Sequence, residues 1–291
     1  MPASPPAPER ATHTDPAAVA LAPVLRFRPR SAEASGSPLF CVAPSDGLAW
    51  PYAGLTAHLP PSVPLYGLQP PGLIPGPVPG GTGEPGPARG TVPADTWHPA
   101  TVADFAEHGA ASLRTVAAHG PYRLLGLGFG GFVAYEIAAR LRAAGEQVDL
   151  VVVDCVPGRG EHPDALSANA STHAGTVPTA TSAEAPVPGP ANPLDLARVT
   201  GVVRPRTAGV ASAARSATAT YRPTASDTDL TVVVLARTRV GADDPAAALR
   251  RWRRHTSGRV TGRLLDAAPG ELAAPEVSAL LAEILDARPR G

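Results

Sequence analysis

YRLLGLGFGGFVAYEIAAR, running from Tyr122 to Arg140, is the stretch on which the reading of this chain turns. Tyr122 to Leu125 is an apolar run of strand length. Gly126-Leu127-Gly128-Phe129-Gly130-Gly131 follows, too rich in glycine for the interior of a regular element. Apolar residues then return at helical spacing through Phe132, Val133, Tyr135, Ile137 and Leu141. That order predicts a buried strand, a tight turn and a helix.

Gly126, Gly128 and Gly130 fall where a nucleophile elbow, G-x-S-x-G, places its two glycines and the serine between them. The outer pair matches, and Gly128 stands in the place of the serine. Downstream, Val151-Val152-Val153-Asp154 reads as a strand ending in an aspartate. With these flanks the chain resembles the thioesterase domains that release products from nonribosomal peptide and polyketide assembly lines. The resemblance runs from about Pro38 onward. It implies an α/β-hydrolase fold, a mostly parallel sheet flanked by helices, with a lid inserted after Asp154.

Elsewhere the pattern agrees with such a sheet. Pro38 to Ala43 reads as a strand and Leu48 to His58 as a helix. Val63 to Leu68 is a second strand, and Val102 to Ala118 a helix with Val102, Phe105, Leu113 and Val116 on one side. After Asp154 come a helix at Pro205 to Thr220, a strand at Asp229 to Ala236 and a helix at Pro245 to His255. A strand at Arg259 to Leu265 and a helix at Ala274 to Ala287 complete the chain. Strands alternating with helices predict a parallel sheet covered on both faces. Residues 1–37, rich in Pro, Ala, Ser and Arg, are expected to be a disordered tail, apart from a short edge strand at Val24 to Phe27. Residues 38–291 form the expected domain. The lid, about 157–205, holds few large apolar residues between Pro157 and Pro193 and is expected to be reduced or disordered.

Composition narrows the function. Among 291 residues, acidic and basic side chains number 25 each, so no bulk field draws nucleic acid or an anionic membrane. Every basic side chain is arginine. No stretch reaches the ~20 apolar residues of a membrane span, and the expected location is cytoplasmic. No metal-ligand cluster is apparent. Cys41 and Cys155 each end an apolar run, as buried thiols do.

Acyl transfer on this scaffold needs a serine, a histidine, a carboxylate and two N–H groups aimed at the developing oxyanion. Gly128 offers no side chain to acylate. Asp154 occupies the place of the carboxylate that the resemblance implies. The histidine's place falls in the run Ala268 to Pro275, where Leu272 stands, with Glu271 beside it as a second acid/base candidate. His255 lies upstream of the last strand, near a helix end. The oxyanion donors would be the N–H groups of Phe129, which starts the helix, and of Ser45, in the loop matching the family's His-Pro-x-Gly-Gly. Cys155 is a poor substitute nucleophile, since a neighbour of Asp154 on a strand points the other way.

The function expected from this set is thioesterase-like. The chain would act on a carrier-protein-bound acyl thioester without a serine acyl-enzyme, by cyclisation, isomerisation or elimination, with Asp154 as base. No cofactor is expected beyond the phosphopantetheine arm that belongs to the substrate. The expected partner is an acyl or peptidyl carrier protein of a synthase. A module that docks a carrier or acts as a scaffold without catalysis is the alternative, for which Arg204, Arg206, Arg215 and Arg222 are candidate contacts. The glycine run also fits the dinucleotide fingerprint G-x-G-x-x-G, with Asp154 at about the distance of a ribose carboxylate. Against this, a dinucleotide fold normally opens with its fingerprint, and here the elbow strand comes third or later in the chain.

Overall fold

A computed structural model describes residues 21–73, 97–158, 200–237, 245–271 and 274–286. Seven strands form one sheet: β1 (Val24–Arg28), β2 (Leu39–Val42), β3 (Leu65–Leu68), β4 (Tyr122–Leu127), β5 (Val148–Val153), β6 (Leu230–Leu235) and β7 (Val260–Leu265). Five α-helices are described: α1 (Val102–Arg114), α2 (Phe129–Ala143), α3 (Thr200–Ala219), α4 (Pro245–Trp252) and α5 (Pro275–Asp286).

The strand order is β1-β3-β2-β4-β5-β6-β7, with β1 antiparallel to β3 and every other pairing parallel. Buried from both sides, β2, β3 and β6 are apolar almost throughout, as with LTVVVL in β6. Alternate residues feed two cores. Phe40, Leu124, Leu150 and Val232 face one core, which includes residues of α1, α2, α3 and α4. Leu39, Leu125, Val151 and Val233 face the other, with residues of α5 and of the segment Trp50–Ala57.

Three expectations are corrected. The ordered chain starts before Pro38: Val24–Arg28 pairs with β3, and Leu21, Leu25 and Ala34 are buried, so residues 21–37 are not a tail. The foreseen edge strand is there, extended to Arg28. The predicted helix at Leu48 to His58 is a 3₁₀ helix over Trp50–Ala57, with Pro51 in its first turn. α3 begins at Thr200, earlier than expected, and among its described side chains those buried are Val210 and the alanines 211, 214 and 217. Most of the expected lid, residues 159–199, lies outside the described residues.

The topology places the site. From β2 the chain moves outward to β3, then returns to β4 on the other side of β2 and proceeds through β5, β6 and β7. Connections leaving β2 and β4 therefore diverge, and a crevice opens at the carboxyl ends of these neighbours. The loop after β2 and the turn after β4 both sit at that point.

Candidate active site at the elbow

Gly128 follows β4 directly and caps α2, with φ 52° and ψ −119°. A side chain at that φ strains the backbone, whereas glycine adopts it freely. Its N–H donates to Val153 O at 2.9 Å, and its carbonyl accepts from Gly131 N at 3.0 Å. The neighbouring glycines are required by close approach. A Cβ at Gly126 would lie 2.2 Å from Gly130 O, and one at Gly130 would lie 2.6 Å from the carbonyl oxygens of Val42 and Ala43. One at Gly131 would lie 2.7 Å from Cys155 Sγ. The first turn of α2 is thereby pressed against the end of β2 and the segment after β5.

Asp154 stands beside Gly128. β4 and β5 pair in parallel with Leu127 opposite Val153, so positions 128 and 154 are the next step along two adjacent strands. Asp154 is half-buried and is the one non-glycine residue with positive φ among the described residues, at 47°. Its N–H donates to Val233 O at 2.9 Å, extending the β5–β6 ladder by one residue. Aspartate tolerates this left-handed conformation better than most side chains.

Phe129 is the first residue of α2, and a helix start leaves its first N–H groups without intrahelical acceptors. Their partial positive charge suits a developing anion. The Phe129 ring is buried edge-on against Phe105, with centroids 4.8 Å apart. Ser45 is buried in the turn after β2, which the bond from Gly47 N to Pro44 O closes at 2.9 Å. The fold thus places Gly128, Phe129, Ser45 and Asp154 at the carboxyl end of three neighbouring strands, β2, β4 and β5.

Glu271, after β7 and two strands along the sheet from β5, is engaged by partners of its own. Its carboxylate pairs with the Arg237 guanidinium at 2.7 Å and accepts from Ala268 N at 3.0 Å, bracing the turn after β7. Leu272 lies outside the described residues. His255 is half-buried just past α4, and its carbonyl accepts from Tyr135 OH at 2.7 Å. Burial, reinforced by Arg254, holds its ring below the usual imidazole pKa. Cys155 is buried, and its carbonyl accepts from Trp252 Nε1 at 2.7 Å. Of the arginines named as carrier contacts, Arg215 and Arg222 are exposed on the surface, and the side chains of Arg204 and Arg206 lie outside the described residues.

Two residues at the site carry no sequence signal. Tyr52 OH donates to Val42 O and accepts from Leu127 N, each at 3.1 Å, so one buried hydroxyl joins the ends of β2 and β4. His108 of α1 lines an apolar cleft of ≈ 30 Å³ together with Ala43, Pro44, Phe105, Phe129 and Val210. Its Nε2 lies 3.2 Å from Ser112 Oγ, and burial holds the ring below its ordinary pKa. Among the described residues no group of His, Cys, Asp and Glu is arranged to hold a metal ion, and no helix is long and apolar enough to cross a membrane.

A mostly parallel sheet with its elbow at the switch point and an aspartate ending the next strand defines the α/β-hydrolase class. Within it, the thioesterase-domain family profile matches residues 83–287, and the chain belongs to that family. It is 31% identical over 266 residues to CymA of Salinispora arenicola (strain CNS-205), a probable nonribosomal peptide synthetase, covering 86% of this chain and 3% of CymA. Over 116 residues, 40% of this chain and 8% of the relative, it is 38% identical to enterobactin synthase component F of Escherichia coli (strain K12). The chain therefore spans only a few per cent of these relatives' length. Among solved structures it is similar to the NocB thioesterase domain from the nocardicin cluster, with TM-score 0.54 and 25% identity over 87% of this chain and 94% of that one.

Proposed function

We propose that the chain acts on an acyl thioester carried on the phosphopantetheine arm of an acyl or peptidyl carrier protein, without forming a serine acyl-enzyme. One observation carries the proposal: the elbow keeps its positive-φ turn and helix start at Gly128, which has no side chain, while Asp154 ends the adjoining strand. The thioester oxygen would take hydrogen bonds from the N–H groups of Phe129 and Ser45. Asp154 takes the proton from the α-carbon, and the electron pair moves into an enolate whose oxygen those donors stabilise. Proton return to the opposite face gives isomerisation, and loss of a β-substituent with its electron pair gives elimination. In cyclisation, Asp154 takes the proton of a hydroxyl or amine of the acyl chain itself, which attacks the carbonyl and expels the arm's thiolate. The match to long synthetases supports a carrier-borne substrate. Incubating acyl-carrier substrates with the wild-type chain and with Asp154→Asn tests this. The substitution is expected to slow product formation by ~10²-fold or more, and an unchanged rate removes Asp154 from the mechanism.

A second reading, a carrier-docking or scaffold module without catalysis, has its own support. The cleft beside Phe129 is ≈ 30 Å³, against roughly 300–1,000 Å³ for sites that enclose a small molecule. Titration with phosphopantetheinylated carrier separates the two readings. Binding without turnover favours docking, and no binding at concentrations on the order of 50 μM opposes both.

A further inference from the structure

The cleft that borders the elbow is walled by Ala43 and Pro44 after β2, by Phe129 at the start of α2 and by Val210 of α3. Its ≈ 30 Å³, at roughly 10–15 Å³ for each water-sized group, admits about two or three non-hydrogen atoms. It is too small for a whole ligand and fits one substituent of a ligand held mostly outside it. Its aromatic wall is stiff. Phe105 meets Phe129 edge-on with centroids 4.8 Å apart and Trp97 edge-on at 5.0 Å, so its ring is held from both sides.

One side chain in this wall is out of keeping with the rest. Among the lining residues His108 alone is titratable. Gln69, the other polar side chain there, is engaged by the backbone, accepting from Ala49 N and donating to Ala22 O, each at 3.0 Å. His108 Nε2 lies 3.2 Å from Ser112 Oγ, whereas Nδ1 has no hydrogen-bond partner among the described residues. A half-buried ring nitrogen left this way costs free energy until a partner reaches it. Burial keeps the imidazole neutral near pH 7. Nδ1 then donates or accepts according to the tautomer, with the Ser112 hydroxyl taking the complementary part at Nε2. A hydroxyl can answer either state, whereas a carbonyl or an ammonium answers only one.

We infer that His108 Nδ1 hydrogen-bonds a hydroxyl on the substituent that enters this cleft, so that the site selects acyl groups whose α-carbon bears a hydroxymethyl or 1-hydroxyethyl group. Both are of the size the volume allows. The inference rests on the proposed acyl chemistry for orientation alone, with the carbonyl oxygen at Phe129 N–H and the α-carbon towards His108.

Calorimetric titration of the full chain with acyl amides of N-acetylethylenediamine tests it, the amide nitrogen standing where a thioester has sulfur so that nothing is turned over. The 3-hydroxypropanoyl amide should bind about five- to tenfold tighter than the butanoyl amide, its match in size with a methyl in place of the hydroxyl. The 3-phenylpropanoyl amide should bind more weakly than either. His108→Leu should bring the hydroxyl and methyl compounds within about twofold of each other. Glu107→Gln, exposed on the same helix, should leave their ratio unchanged. That ratio isolates the hydrogen bond, since a general loosening of the cleft weakens both compounds alike. Turnover of the matching thioesters is scored apart: hydroxyl-selective binding without turnover removes the acyl chemistry and leaves the subsite standing. Equal affinity for the 3-hydroxypropanoyl and butanoyl amides, a phenylpropanoyl amide as tight as either, a preference that survives His108→Leu, or no saturation at ~10 mM overturns the inference.

Discussion

Restoring a serine at the elbow separates what the backbone supplies from what is missing. Gly128 has φ 52° and ψ −119°, well away from the left-handed basin near ψ +47°. Gly145, just past the end of the same helix, provides an internal reference. It has φ 82°, and a Cβ there would meet nothing within 4 Å, so Gly145→Ala reports conformational cost alone. That cost is ~1–2 kcal/mol. Gly128→Ser carries the strain of a rarer conformation, ~1–3 kcal/mol. At roughly 2–4 °C per kcal/mol for a domain of this size, its midpoint should fall by about 2–12 °C. Gly128→Ala should match Gly128→Ser closely, because the penalty belongs to Cβ and not to the hydroxyl. Labelling by a fluorophosphonate probe completes the assay. The wild type should not label, and Gly128→Ser should label poorly, because an elbow hydroxyl without an imidazole is not activated. Rapid labelling of Gly128→Ser with an unchanged midpoint would refute the reasoning on both counts. Should that labelling vanish in Gly128→Ser/His108→Gln, the imidazole responsible would be His108, and the elbow would hold a working base after all.

Gly130→Ala drives a Cβ into two backbone carbonyls of β2 and its loop, so a loss of ~1–3 kcal/mol or more is expected in urea unfolding. Tyr52→Phe removes the hydroxyl shared by Val42 O and Leu127 N. The stranded buried N–H should cost ~1–3 kcal/mol, and a loss below ~0.3 kcal/mol would mean the bridge contributes little. Glu136→Ala takes away the acceptor shared by Tyr221, Thr224 and Arg140 and should destabilise by ~3–5 kcal/mol in the same assay. Burial lowers the pKa of His108 from 6.5. The unfolded state therefore binds its proton first as pH drops, and stability present above about 6.5 is lost as pH falls through the folded-state value. His108→Gln should flatten that part of the stability–pH curve. A slope identical to wild type would show that His108 does not contribute.

The elbow was legible because its signals are local. Gly126, Gly130 and Gly131 are small for contacts that any Cβ would violate, and the strand before them and the helix after them have unmistakable periods. Asp154 is legible for a related reason: it follows four consecutive apolar residues, Leu150 to Val153, at a position where the backbone turns left-handed. β1 reads in the sequence as a short edge strand at Val24 to Phe27 and ends one residue later, a faint signal because an edge strand buries few side chains, here Leu25 among partly exposed neighbours. Trp50–Ala57 carried helical spacing without the hydrogen-bond geometry to match, and the proline in its first turn did not distinguish α from 3₁₀. Tyr52, His108 and Glu136 could not be read at all. The first looks like any core aromatic and the other two like ordinary helix residues. Tyr52 gains its meaning from Leu127 and Glu136 from Thr224, 75 and 88 residues away, and His108 from a cleft that only the folded chain creates.

The arrangement at the switch point shows which parts of a catalytic site depend on side chains and which do not. A nucleophile and its base are side-chain atoms, and glycine at position 128 removes the first outright. The oxyanion donor proposed at Phe129 is a main-chain N–H, fixed by the turn at Gly128 and the helix it begins, so no replacement of the Phe129 ring would abolish it. The three packing glycines hold that turn against β2 and Cys155 independently of any reaction. Under the proposed function, a scaffold built this way keeps a backbone donor for a carbonyl for as long as it folds. What it does with that carbonyl then rests on the groups beside it, of which Asp154 lies one register step from the vacated position.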